Sequence, residues 1–193
     1  MTLTQATLGQ MSLARKTMVV IGASLFIAVA AQISVPFYPV ALTMQTLAIL
    51  LVGFALGARM GAAAVLAYLA EGALGLPVFT NFNNGAAFFG PTAGFLVGFV
   101  ALAWIAGKAA DLGVRGIVGT TLAALFATPV IYIPGLAWPL AVAEATGISA
   151  GWAGAGVDKT LAWFVTPFLI GDAVKAVLAA LIVTGGWAVL AKR

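Results

Sequence analysis

Asp172 and Lys175 stand three residues apart inside the last long apolar run of the chain. At that spacing two side chains share one helix face. An ionisable pair within an apolar span is expensive to bury, and by default it marks a ligand or ion path. The competing reading is a salt bridge that ties the helix only to itself. The segment Asn81-Phe82-Asn83-Asn84-Gly85 adds three uncharged amides in five residues. They serve either a ligand or a turn, since Asn and Gly both accept left-handed backbone. Gln45, in Leu42-Thr43-Met44-Gln45-Thr46, puts another amide near the end of an apolar run. It needs a partner there, on a neighbouring helix or on a ligand. Glu71, beside Gly72, is expected to pair with Lys159 or Lys175, or to sit in interfacial water. Tyr38, Phe37, Phe79, Phe82, Trp138 and Trp163 supply rings for a ligand or for an interfacial belt.

The missing residue types narrow the chemistry further. There is no Cys and no His, which excludes disulfides, thiolate chemistry, the commonest general base and the commonest transition-metal ligand. No G-x-x-x-x-G-K-[ST] or H-E-x-x-H occurs, so the usual ATP-binding and zinc-protease motifs are missing.

Apolar spans must position these groups. The chain has 193 residues, of which 63% are hydrophobic and 7% charged, against roughly 25% charged in a soluble domain. Too little polar surface remains to cover a water-exposed fold. A soluble enzyme, a nucleic-acid binder and a disordered chain are therefore excluded. Apolar runs fall at about 17–34, 41–57, 60–76, 90–107, 116–136 and 166–190. Each is long enough to cross a ~30 Å hydrocarbon core as a helix, and continuous rather than alternating hydrophobicity disfavours a β-barrel. The expected architecture is one integral membrane domain over 1–193, an all-α bundle of six transmembrane helices preceded by a polar segment 1–16.

An even number of crossings places both termini on one side. Arg15, Lys16, Arg59, Lys108, Arg115, Lys192 and Arg193 then share that side, while the other side has Lys159 alone. Positive charge is retained in the cytoplasm, so both termini are expected to be cytoplasmic. Thr166-Pro167 reads as the start of the last helix, Thr as N-cap and Pro at the first position. Counting back from Lys192 at ~1.5 Å per residue puts Asp172 roughly 30 Å away, in the outer third of the membrane. The outer connections, Ser34–Pro39, about Gly75 to Phe89, and about Ala137 to Val165, are rich in Gly, Pro, Asn and aromatic residues. They read as walls and lid of a binding face. Helix 1 carries Gly22, Ala23, Ser24, Ala28, Ala30 and Ala31, a small-residue face for close helix approach within the chain or to a partner.

Pro36-Phe37-Tyr38-Pro39-Val40-Ala41-Leu42-Thr43-Met44-Gln45-Thr46-Leu47-Ala48 resembles the first outer loop and second helix of the biotin transporter family, the substrate-capturing S components of energy-coupling-factor transporters. Leu56-Gly57-Ala58-Arg59-Met60-Gly61 is similar to that family's short cytoplasmic turn. Gly75-Leu76-Pro77-Val78-Phe79 and Gly90-Pro91-Thr92-Ala93-Gly94-Phe95 resemble the two ends of its 3–4 loop, and Pro167-Phe168 through Asp172 and Lys175 its last helix. The resemblance covers about residues 17–190. It implies a six-helix bundle with a biotin site near the outer surface, contacted by Asp172, Lys175 and an Asn, either Asn83 or Asn84. Gln45, Tyr38 and Phe79 complete the candidate set. It also implies a transmembrane coupling protein and ATP-binding-cassette ATPases as partners, with biotin as cargo and no cofactor, in a bacterial-type inner membrane. Whether the chain also works alone as a homo-oligomer stays open. The rival readings are an S component for a different vitamin, an intramembrane enzyme using Asp172, Lys175 and Glu71, and a purely structural membrane subunit.

Overall fold

The computed structural model describes residues 2–191. Lys192 and Arg193, counted above among the basic residues of one side, lie outside the described residues. Helix α1 (Leu3–Leu8) opens on a capping box: Thr2 accepts from the Gln5 N–H, and the Gln5 side chain accepts from the Thr2 N–H. The Thr4 hydroxyl donates to the Ala55 carbonyl at 2.8 Å. The polar segment 1–16 is thus partly a folded helix docked on the bundle. Helix α2 (Leu13–Gln32) follows, capped by Ser12.

A two-stranded antiparallel ribbon comes next, with β1 (Ser34–Val35) paired to β2 (Leu42–Thr43) in the register Ser34↔Thr43 and Val35↔Leu42. This ribbon shortens the helix expected over 41–57. Leu42 and Thr43 spend their backbone groups on β1, and α3 spans only Gln45–Leu56. Gly57, at φ 82°, turns the chain into α4 (Ala58–Ala73). Helix α5 covers Ala93–Asp111.

The expected fifth span runs on well beyond residue 136. α6 (Ile117–Ala127), a 3-10 turn (Thr128–Ile131), α7 (Tyr132–Ala137), a π turn (Trp138–Val142) and α8 (Ala143–Ala145) form one continuous helical path. Pro129, Pro134 and Pro139 lack the N–H that an unbroken α ladder needs; Pro129 falls in the tighter turn and Pro139 in the wider one, and the helical path continues through both. The outer connection read as a loop over 137–165 is therefore helical at both ends, since α9 (Val157–Phe164) also lies within it. α10 spans Leu169–Leu190. It starts two residues later than expected, and Thr166 does not cap it: its hydroxyl donates back to the Leu161 carbonyl at 3.2 Å.

Four helical stretches are long and apolar enough to cross a membrane: Leu13–Gln32, Ala93–Asp111, Ile117–Ala145 and Val157–Leu190. The apolar α3 is shorter, with 12 residues. The chain is an all-helical, multi-pass membrane protein. Its outer flanks fit lipid: Phe126 and Ile170 are each 80% exposed, which in water would make a large unprotected apolar surface.

α5 forms the axis of the core. Phe95, Leu96, Phe99, Leu102, Ala103 and Ala106 are all buried between α3, α4 and α7. Small residues permit this close approach. A Cβ on Gly53 of α3 would lie 2.7 Å from the Ala103 carbonyl oxygen, and one on Gly107 of α5 would collide with the Ala58 backbone nitrogen. Part of the small face of α2 serves the same end: Ser24 and Ala28 are buried, and Ser24 bonds Glu71 of α4.

Candidate functional site

A cavity of about 270 Å³ opens at the end of the bundle where α3 and α10 begin, with walls from both helices, the β1–β2 turn, the α4–α5 connection and the α6–α7 path. That volume sits near the lower end of the roughly 300–1,000 Å³ typical of small-molecule sites. The wall is mainly apolar, with Phe79, Phe95, Phe99 and Phe168 among its rings. Phe95 anchors it, edge-on to Tyr132 at 5.9 Å and stacked on Phe164 at 6.4 Å. Phe79 is buried edge-on against Tyr68 and Phe88. Gly72 makes room for it, because any Cβ there would overlap the Phe79 ring.

Asp172 is the polar focus. The start of α10 at Leu169 puts it in the first turn, where unpaired N–H groups favour negative charge. It is 6% exposed. Its Oδ2 accepts from the Tyr132 hydroxyl at 2.6 Å, whereas its Oδ1 has only two long contacts, from Thr46 Oγ1 and Lys175 Nζ, both at 3.4 Å. The Lys175–Asp172 pair is the only ion pair among the described residues. Oδ1 is therefore held only by long contacts, and Asp172 and Lys175 both line the cavity.

The other candidates separate by what already occupies them. Gln45 is a brace: its Oε1 accepts from Thr43 and Thr80, and its Nε2 donates to the Tyr68 hydroxyl at 2.7 Å. It lines the cavity with one N–H to spare. Asn83 lies in the wall, and Asn84 does not. The Asn84 side chain instead caps the following 3-10 turn by accepting from the Ala86 N–H. Tyr38 lies outside the wall, its ring edge-on to Trp163 at 5.9 Å. Glu71 pairs with neither Lys159 nor Lys175. It lies on α4 facing α2, where its Oε1 accepts from Ser24 at 2.6 Å.

Sequence reasoning missed Thr46, Thr80 and Tyr132. Tyr132 was detectable, as one of three tyrosines and the one inside the run 116–136. It also missed Gln32, which secures the loop carrying the Asn cluster. Gln32 Nε2 reaches the Val78 and Phe79 carbonyls at 3.3 and 3.0 Å, and its Oε1 accepts from the Phe82 N–H at 3.0 Å. Asn81 and Phe82 both hold positive φ there, 58° and 56°.

These features define a membrane-embedded helical protein with a small, mostly apolar ligand site at one end, focused on a buried carboxylate. The chain belongs to the BioY family, which matches residues 3–192. It is 39% identical over 163 residues to the probable biotin transporter BioY of Pyrococcus horikoshii, covering 82% of this chain and 90% of that one. It is 38% identical to the biotin transporter BioY of Rhizobium etli, covering 78% and 79%, and 32% identical to that of Rhodobacter capsulatus, covering 86% and 89%. The crystal structure of the S component for biotin from an ECF-type ABC transporter shares the fold, with a TM-score of 0.67 at 24% identity over 91% of this chain and 93% of that one. These relatives are transporters by name, not enzymes.

Proposed function

We propose that this chain captures biotin at the outer face of the membrane as the S component of an energy-coupling-factor transporter. The observation that carries the reading is Asp172, buried in the cavity wall with its Oδ1 held by two contacts no shorter than 3.4 Å. Biotin presents a ureido ring with two N–H donors and a carbonyl, an apolar bicycle and a valerate carboxylate. Asp172 accepts a ureido N–H, the Asn83 amide meets the opposite edge, Phe79 and its neighbours cover the bicycle, and Lys175 meets the carboxylate or holds Asp172. On this reading the site makes and breaks no covalent bond, in keeping with relatives that are named as transporters rather than enzymes.

Six crossings with both termini in the cytoplasm fit the distribution of charge. Lys16, Arg59 and Lys108 line a cleft at the end opposite the cavity, and Lys175 lines the cavity itself. In a bacterial-type inner membrane this puts the cavity outside. The chain has no ATP-binding motif, so a transmembrane coupling protein and ATP-binding-cassette ATPases supply the energy for uptake. Equilibrium binding of labelled biotin to the purified chain in detergent tests the reading. Saturable binding, with unaltered biotin recovered, is expected; no binding, or binding of a different vitamin instead, overturns it.

A further inference from the structure

The end of the bundle away from the cavity holds a second, larger cleft of about 1090 Å³. Lys16 in the first turn of α2, Arg59 at the start of α4 and Lys108 in the last turn of α5 all line it. The one acid in its wall, Asp111, is already engaged, accepting the Ala58 backbone N–H at 3.0 Å. Since the only ion pair among the described residues is Lys175–Asp172, the three cations at this cleft have no acidic partner. Three positive charges less one carboxylate leave +2. Converging basic side chains at the end of a transmembrane bundle suit a phosphate-bearing headgroup.

The apolar part of the wall says where such a headgroup comes from. Trp104 and Lys108 are four residues apart on α5 and share a face. Trp104 is 49% exposed, and Val97, two turns deeper on that face, is 60% exposed. An ammonium at the rim, an indole one turn in and an exposed valine further down trace a path from headgroup to acyl chain. A soluble phosphate would have no use for that path.

We propose that this cleft binds an anionic phospholipid whose headgroup carries two phosphodiesters. Its two negative charges match the local +2, and its acyl chains lie along the Val97–Trp104 face of α5. Nothing in this site depends on what the cavity at the other end binds.

The test is titration of delipidated full-length protein with cardiolipin, phosphatidylglycerol, phosphatidylcholine and inorganic pyrophosphate, read by native mass spectrometry. Cardiolipin is expected to bind tightest and phosphatidylcholine not measurably. Each of Lys16→Gln, Arg59→Gln and Lys108→Gln should weaken cardiolipin roughly fivefold, and all three together roughly a hundredfold. Lys159→Gln, at the other end, should change nothing. Circular dichroism and monodisperse elution report whether each variant has folded, and the lipid ranking on the unaltered chain stands without any variant. Equal binding of phosphatidylcholine, or full cardiolipin affinity in the folded triple variant, overturns the proposal. So does pyrophosphate binding as tightly as cardiolipin, which would make this a soluble-anion site.

Discussion

Asp172→Asn is the most informative single change in the candidate site. The two carboxylate oxygens are used unequally: Oδ2 has the 2.6 Å bond from Tyr132, and Oδ1 has only contacts at 3.4 Å, beyond the 2.7–3.2 Å of a good N–H···O bond. A ureido N–H at about 2.9 Å would be the best donor that Oδ1 has. Asparagine keeps the shape but has one acceptor oxygen. If that oxygen turns to the ligand, the amide N–H₂ faces Tyr132, whose hydroxyl must reverse and accept. A hydrogen bond to a charged group is worth about 1.5–3 kcal/mol, so biotin affinity should fall roughly 10- to 150-fold. Isothermal titration of the purified variant measures this, with circular dichroism and elution profile as the check on folding.

Lys175→Ala then separates two roles. If Lys175 meets the valerate carboxylate, the loss seen with biotin should vanish with biotin amide, which has no negative charge. If it only orients Asp172, both ligands should lose equally. A purely structural ion pair gives a different pattern: both single variants fold poorly, because each leaves an uncompensated buried charge, and the double neutral variant recovers. A well-folded Asp172→Asn protein with normal biotin affinity would refute the assignment of this carboxylate to the ligand.

Three further outcomes follow from the structure. Gln32→Ala removes the bonds that hold Val78, Phe79 and Phe82, so amide exchange across 78–84 should speed up and biotin affinity fall several-fold; unchanged exchange would show that the loop holds its positive φ angles unaided. Gly107→Leu forces a side chain into the Ala58 backbone and should destabilise the bundle by about 1–3 kcal/mol or more, read as a lower thermal midpoint in detergent. A reporter fused after Arg193 should be active in the cytoplasm, and a periplasmic signal would invert the topology and put the cavity on the inner side.

The apolar spans were legible because hydrocarbon demands long uncharged runs, and the boundaries of α2, α5 and α10 fall within a few residues of those read from hydropathy alone. The errors came where backbone bonding overrode hydropathy. Leu42–Thr43 is apolar enough to extend α3, but its backbone pairs with Ser34–Val35. The stretch after Ala137 has the Gly and Pro content of a loop, but Pro139 is taken into a π turn and the helical path continues to Ala145. Composition carries no information on which turn absorbs a missing N–H. Gln32 was missed for a related reason: an amide at the end of a span looks like interfacial solvation until its carbonyl partners, 46 and 47 residues away, are in place.

The polar residues inside the spans looked alike in the sequence, each one costly and each in need of a partner. The structure separates them by two properties that spacing cannot report, accepting capacity left over and access to the cavity. Gln45 has access, but its carbonyl already accepts two hydroxyl bonds. Glu71 has capacity, since its Oε2 is buried without a partner, but it is not in the cavity wall. Asp172 has both: it lines the cavity, and one of its oxygens is held only at 3.4 Å. Tyr132 sharpens the distinction. Its short bond fixes the carboxylate through Oδ2, so the loosely held Oδ1 presents a defined direction to a donor rather than turning inward to satisfy itself. A buried carboxylate anchored on one side and under-bonded on the other is poised to accept one more N–H, and in this chain that arrangement, more than the presence of charge in a membrane, marks where the ligand goes.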